Sequence, residues 1–242
     1  VLGLVEPQSS GLGGGAFALV YDAKQKRLHT YDGRETAPDL AGPFLFFKNG
    51  DPLGFNEAVI GGRSVGVPGG PMLLSDLHQR HGKLTWMELF DDALKLAEEG
   101  FEVSPRLAKM VESEADDFRK VSNTAAYFLP EDEPLEAGQM LKNPAYANTL
   151  KDYRFYNTRL FYSGAAARSI VYTVQNYADN PGLLSMQDFQ SYTVKERPPV
   201  CGPYRAYIVC SMGEPSSGGL TLLQILGMLG HFDISDESAK SW

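Results

Sequence analysis

Four clusters in the sequence have residue types and spacing that could do chemistry. Asp32-Gly-Arg-Glu-Thr-Ala-Pro38 ends an extended stretch on a charged triplet just before a proline. The planar fork of Arg34 is the preferred partner for a substrate carboxylate, and equally for a neighbouring Asp or Glu in a structural ion pair. Gly11-Leu-Gly-Gly-Gly-Ala16 satisfies the G-x-G-x-x-A pattern, whose glycines let backbone amides approach a pyrophosphate at a helix start. That chemistry needs a helix next, whereas Phe17-Ala-Leu-Val-Tyr21 reads as strand. The glycines are therefore read as allowing close backbone packing, with a wall or amide nest beside a ligand as the alternative. Ser216-Ser-Gly-Gly219 lies where a strand gives way to a helix, so its hydroxyls and amides could bind an anion, expose a nucleophile or simply cap the helix. A nucleophile elbow needs Gly two residues before the Ser; Gly213 is three before Ser216 and Pro215 is two before Ser217, so that frame is absent. His78 and His81 are one helical turn apart, but only Asp76 stands near enough in sequence to join a ligand set, and they read as a polar helix face. His29 and His231 have no recognisable partner in the sequence.

The elements that must position these residues follow from hydropathy spacing. Residues 16–23 and 27–31 read as a hairpin about a Lys-Gln-Lys turn. Apolar residues recur at helical spacing over 73–80, 85–99 and 105–117, with Thr85 as a cap and Gly100 as a stop. Residues 123–144, with the acidic cluster Glu131, Asp132, Glu133 and Glu136, read as a solvated loop. Helices are expected over 145–152 and 165–178, strands over 192–196 and 204–210, and a last helix over 220–229. Strands at the two ends and helices between them give an α+β class. No repeat and no linker divides the chain, so one domain over 1–242 is expected. Cys201 and Cys210 flank an expected turn at Gly202-Pro203, and extended chain between them could hold them up to about 30 Å apart, so they are read as free thiols.

Composition narrows the partners. Of 242 residues, 43% are hydrophobic and 21% charged, which is globular composition. The net charge of −8 argues against nucleic acid and anionic membrane as partners and leaves small molecules or proteins. The longest apolar stretch, 220–229, is interrupted by Thr221, Gln224 and Gly227 and falls far short of the roughly 20 residues of a membrane span. The first residues carry no basic stretch followed by an apolar run, and both ends read as cut from a longer chain.

Taken together, these segments resemble the large subunit of the gamma-glutamyltransferase (gamma-glutamyl transpeptidase) family almost from end to end. Val5 to Gly15 looks like its glycine loop, Tyr31 to Pro38 like its arginine motif, and Ser64 to Gly69 like the segment that follows. His81 to Trp86, Ala97 to Ser104, Phe161 to Gly164, Asp188 to Tyr192, Glu196 to Arg205 and Pro215 to Gly219 are similar in order and spacing. The resemblance implies part of an N-terminal nucleophile hydrolase αββα sandwich, a fragment incomplete at both ends and completed by a small subunit cleaved from the same precursor. It implies an enzyme hydrolysing or transferring gamma-glutamyl groups of glutathione-like donors through a Thr acyl-enzyme. The family's nucleophile opens the small subunit in a Thr-Thr-His-type segment, which does not occur here, so no catalytic residue is expected in this chain. Arg34 matches the arginine that holds the donor α-carboxylate. No cofactor and no metal is implied, and the location implied is the periplasm or cell surface. Alternatives are a relative with other amide specificity, such as a cephalosporin acylase or a poly-gamma-glutamate enzyme, and a noncatalytic truncated binding module.

Overall fold

The computed structural model describes residues 1–232. The fold is mixed helix and sheet, α+β as expected. The described residues cluster into two compact units. The first comprises residues 1–15 and 35–192, the second residues 16–34 and, among the described residues, 193–232.

Eleven helices occur among the described residues: α1 (Leu2–Val5), α2 (Phe55–Val59), α3 (Gly70–His81), α4 (Asp91–Glu99), α5 (Pro105–Phe118), α6 (Ser122–Phe128), α7 (Pro144–Tyr156), α8 (Thr158–Tyr162), α9 (Ala165–Gln175), α10 (Met186–Ser191) and α11 (Gly218–Leu229). The strands are β1 (Ala16–Asp22), β2 (Arg27–Gly33), the short pairs β3 (Phe47–Lys48) with β4 (Asp51–Pro52) and β5 (Phe101–Glu102) with β6 (Met140–Leu141), then β7 (Lys195–Arg197), β8 (Pro199–Tyr204) and β9 (Tyr207–Met212).

The first unit holds α1 to α10. Its two longest helices start on local chemistry: Ser104 accepts from the Leu107 amide at 3.0 Å with Pro105 next, and Asn143 accepts from the Tyr146 amide at 2.9 Å with Pro144 next. Gly100 stops α4 at φ +102°, a conformation that a Cβ disfavours. Leu107, Val111 and Ala115 bury one face of α5, and Ala147, Leu150 and Tyr153 one face of α7. Trp86, Phe90, Tyr153 and Phe161 form an edge-to-face aromatic cluster with centroids 5.1–5.5 Å apart. The expected helix over 85–99 opens instead as a 3₁₀ turn, Glu88–Phe90, with the Thr85 amide and hydroxyl both donating to the Glu88 carboxylate. Residues 123–144, read as loop, contain most of α6, a second 3₁₀ turn and β6. At seven residues α6 is too short to give a periodic signal, and packing of Phe128 on Phe118, centroids 5.3 Å apart, holds it.

The second unit is a β layer. Its sheet has the order β1-β2-β7, all antiparallel, with Phe17 opposite Asp32 and Thr30 opposite Arg197. The β8–β9 hairpin carries α11, and Gly219 lets that helix lie against the hairpin, because a Cβ there would come within 2.4 Å of the Met212 carbonyl. The reading of Cys201 and Cys210 as free thiols is corrected. The turn falls at Arg205-Ala206, with Arg205 at φ +53°, rather than at Gly202-Pro203. This hairpin puts the two cysteines directly opposite each other, Cα atoms 4.1 Å apart, and they form a disulfide.

Two buried phenols join helices to the chain between Pro68 and Met72. Tyr153 donates to the Pro71 carbonyl at 2.6 Å; Tyr162 donates to the Pro68 carbonyl at 2.6 Å and accepts from the Met72 amide at 3.1 Å. Burial pushes both phenols well above the ordinary tyrosine value, so they act as neutral hydrogen-bonding groups at any physiological pH. Tyr162→Phe leaves both backbone groups unpaired and is expected to cost about 1–3 kcal/mol. Calorimetry of the full-length protein should then show a Tm lower by about 1–2 °C, and an unchanged or raised Tm would contradict this role.

Candidate functional site

Arg34 directly follows β2, and the side chains that fix it there come from the sheet of the second unit. Asp32 is 7% exposed, and its carboxylate is divided between two donors. Oδ1 accepts from the Arg34 amide at 3.0 Å, and Oδ2 accepts from Arg197 Nε at 2.7 Å. A carboxylate buried this far must be paired, and Arg197 on β7 supplies the charge. The Thr30 hydroxyl donates to the Arg197 carbonyl, and His29 Nδ1 lies 2.9 Å from the Glu196 carboxylate, so β7 is held by side chains as well as by its ladder. His29, which had no recognisable partner in the sequence, thus has one. The Arg34 guanidinium is exposed and lies over the Phe17 ring, 5.8 Å from its centroid. An exposed guanidinium on a braced strand end can receive a carboxylate.

In the first unit, the residues after Arg34 line a cleft of about 450 Å³ with Gly13, Leu45, Phe46, Arg63 and the segment 64–66. Thr36 bridges to Val67, whose amide donates to the Thr36 carbonyl at 2.9 Å. The Asp39 amide donates to Asp188 Oδ1 at 2.9 Å. Asp188 also closes a capping box with Ser185 at the start of α10. The glycine loop is followed by β1 rather than a helix, and its Gly14 carbonyl accepts from the Gly69 and Gly70 amides at 3.1 and 2.8 Å. Close packing is thus its observed use, and dinucleotide geometry is not formed.

The other clusters stay local. Ser216 Oγ accepts from the Gly218 amide at 3.2 Å at the start of α11. His78 Nε2 is 2.9 Å from the Leu84 carbonyl, and its ring packs on Trp86 at 5.2 Å. Asp39, Arg63, Asn180 and Asp188 were missed by sequence reasoning as organising residues. Asn180 donates to the carbonyls of Glu57 and Ile60 and returns its own carbonyl to the Gly62 and Arg63 amides. A buried Asn after Ala-Asp carries no local signal of this, but Ser185-x-x-Asp188 is a capping-box spacing that was readable.

The architecture defines an α+β protein with an exposed arginine at a sheet end. Residues 1–242 match the gamma-glutamyltranspeptidase family over their whole length, and the chain belongs to that family. It is 38% identical to a glutathione hydrolase proenzyme of Bacillus subtilis, an alignment covering 100% of this chain and 40% of that protein. The chain thus spans about 40% of the length of that curated relative. The crystal structure of Helicobacter pylori gamma-glutamyltranspeptidase is similar with a TM-score of 0.91 and 30% identity, over 98% of this chain and 67% of that one. A cephalosporin acylase from Bacillus halodurans is similar with a TM-score of 0.80 and 26% identity, over 96% of this chain and 43% of that one.

Asp188 gives a pH signature. Burial acts to raise its carboxyl, but the Asp39 amide and the Ser185 hydroxyl and amide outweigh this and hold it below the ordinary value. Its contribution is therefore present above the unfolded carboxyl value of about 3.9 and lost as pH falls through the lower folded value. Melting of wild type and Asp188→Asn should differ by about 1–2 kcal/mol near neutrality, the gap closing below about pH 4. A gap independent of pH would contradict this.

Proposed function

We propose that this chain is the large-subunit part of a two-subunit enzyme that hydrolyses or transfers gamma-glutamyl groups from glutathione-like donors. The nucleophile is a Thr outside this chain. Its hydroxyl attacks the gamma-glutamyl amide carbonyl while its own α-amine takes the hydroxyl proton and passes it to the leaving amine; water or an acceptor amine then resolves the acyl-enzyme. Arg34 holds the donor α-carboxylate.

The observation that carries this reading is the exposed guanidinium of Arg34 at a sheet end, within a sequence segment that matches the family. The relatives' names, glutathione hydrolase and gamma-glutamyltranspeptidase, support the donor class. A partner subunit is supported by α11, on which Leu220, Leu222, Ile225 and Met228 are all exposed. The Cys201–Cys210 disulfide supports a location outside the reducing cytosol, in the periplasm or at the cell surface. Cephalosporin acylase specificity is the second reading, favoured only by the weaker likeness to that enzyme.

Kinetics of the full-length protein test the donor site. Losing a charged partner of a desolvated carboxylate costs roughly 2 kcal/mol or more, so Arg34→Ala should lower kcat/KM at least about thirtyfold. Arg34→Lys should fall between, since an ammonium cannot bind in the bidentate manner. Normal maturation with kcat/KM within about threefold of wild type would overturn the assignment.

The isolated 242-residue chain should release no product from a chromogenic gamma-glutamyl anilide, and light scattering should find it self-associated through the α11 face. Turnover abolished by a substitution in this chain would relocate the nucleophile. A clean monomer with one cooperative unfolding transition would contradict the shared face.

A further inference from the structure

Arg34 has a long, many-bonded side chain and is exposed. A guanidinium that must meet a carboxylate in a fixed orientation needs its backbone aimed and its stem supported. Asp32 supplies the first. Its Oδ1 takes the amide two residues ahead, a local side-chain-to-backbone bond that sets how the chain leaves β2. Phe17 supplies the second, because it stands opposite Asp32 in the β1–β2 register and its ring lies under the guanidinium.

The Asp32 carboxylate can serve the Arg34 amide only if it keeps its own orientation. That orientation depends on Arg197, whose Nε holds Oδ2 at 2.7 Å and whose backbone is fixed against Thr30. We propose that Asp32 and Arg197 are positioning residues for donor binding: they act through Arg34, setting where its guanidinium meets the donor α-carboxylate. This rests on the reading of Arg34 as the carboxylate-binding group.

A merely structural pair and a positioning pair differ in one respect. Loss of a structural pair lowers stability and the yield of mature enzyme, whatever residue stands at 34. Loss of a positioning pair raises KM for the donor with little change in kcat, and does so only while Arg34 is present.

The test is a double-mutant cycle in the full-length protein, with steady-state kinetics on a gamma-glutamyl anilide. Arg197→Ala should raise KM about tenfold with kcat within about twofold, Arg197→Lys should recover KM to within about threefold of wild type, and in the Arg34→Ala background neither should move KM by more than about twofold. Asp32→Asn, which keeps an acceptor for the Arg34 amide but loses the charge facing Arg197, provides the same cycle if Arg197→Ala does not mature. Its KM should rise about threefold or more in wild type and be unchanged on Arg34→Ala. A KM rise of equal size in both backgrounds, or none in either, overturns the proposal. Failure of the underlying reading is separate and visible in one variant: Arg34→Ala alone would then match wild type.

Discussion

The buried carboxylate of Asp32 is the constraint on which the arginine site depends. A charge at 7% exposure is tolerable only with a charged partner and filled lone pairs, because desolvation alone costs several kcal/mol per ion. Arg197 meets the first requirement and the Arg34 amide contributes to the second. The first bond ties the three-residue β7 to β2, and the second fixes the backbone just past the end of β2. With Glu196 beside His29, two side-chain contacts connect two strands whose register is only three residues long. The end of the central strand, from which Arg34 follows, is thus braced by its neighbour β7.

The first unit applies the same rule with neutral groups. Segments scattered through the sequence are one another's hydrogen-bond partners: Tyr162 with Pro68 and Met72, Tyr153 with Pro71, Asp188 with Asp39. Each contact closes a long loop, and each satisfies a backbone group that burial would otherwise leave without water. The similarity of so many short segments to one family thus has a physical reading, since several of them touch and cannot vary independently.

Much of this was legible in the sequence, and its limits are physical. The β1–β2 hairpin, α3, α5, α7 and α9 follow from the spacing of apolar residues, because each has enough residues to bury a recognisable face. Arg34 was readable as a carboxylate ligand or a structural ion-pair partner. The structure gives the Asp32 side chain to Arg197, 165 residues away, which no local pattern could indicate. Short elements such as α6 and α10 escaped for want of length. The disulfide was missed because a turn misplaced by three residues changes which cysteines face each other, and the separation along the chain then says nothing about distance across the hairpin. Asp188 lay within reach, as its capping-box spacing with Ser185 was present in the sequence, but its bond to Asp39 required the tertiary fold.

The central claim is that a braced Arg34 receives the donor α-carboxylate. A crystal structure of the full-length protein with a gamma-glutamyl product or free glutamate bound would test it most directly. The account predicts the α-carboxylate in bidentate contact with the Arg34 guanidinium at about 2.7–2.9 Å, with the Asp32–Arg197 pair intact. A ligand whose α-carboxylate is held by other groups, with Arg34 turned away from it, would contradict the account.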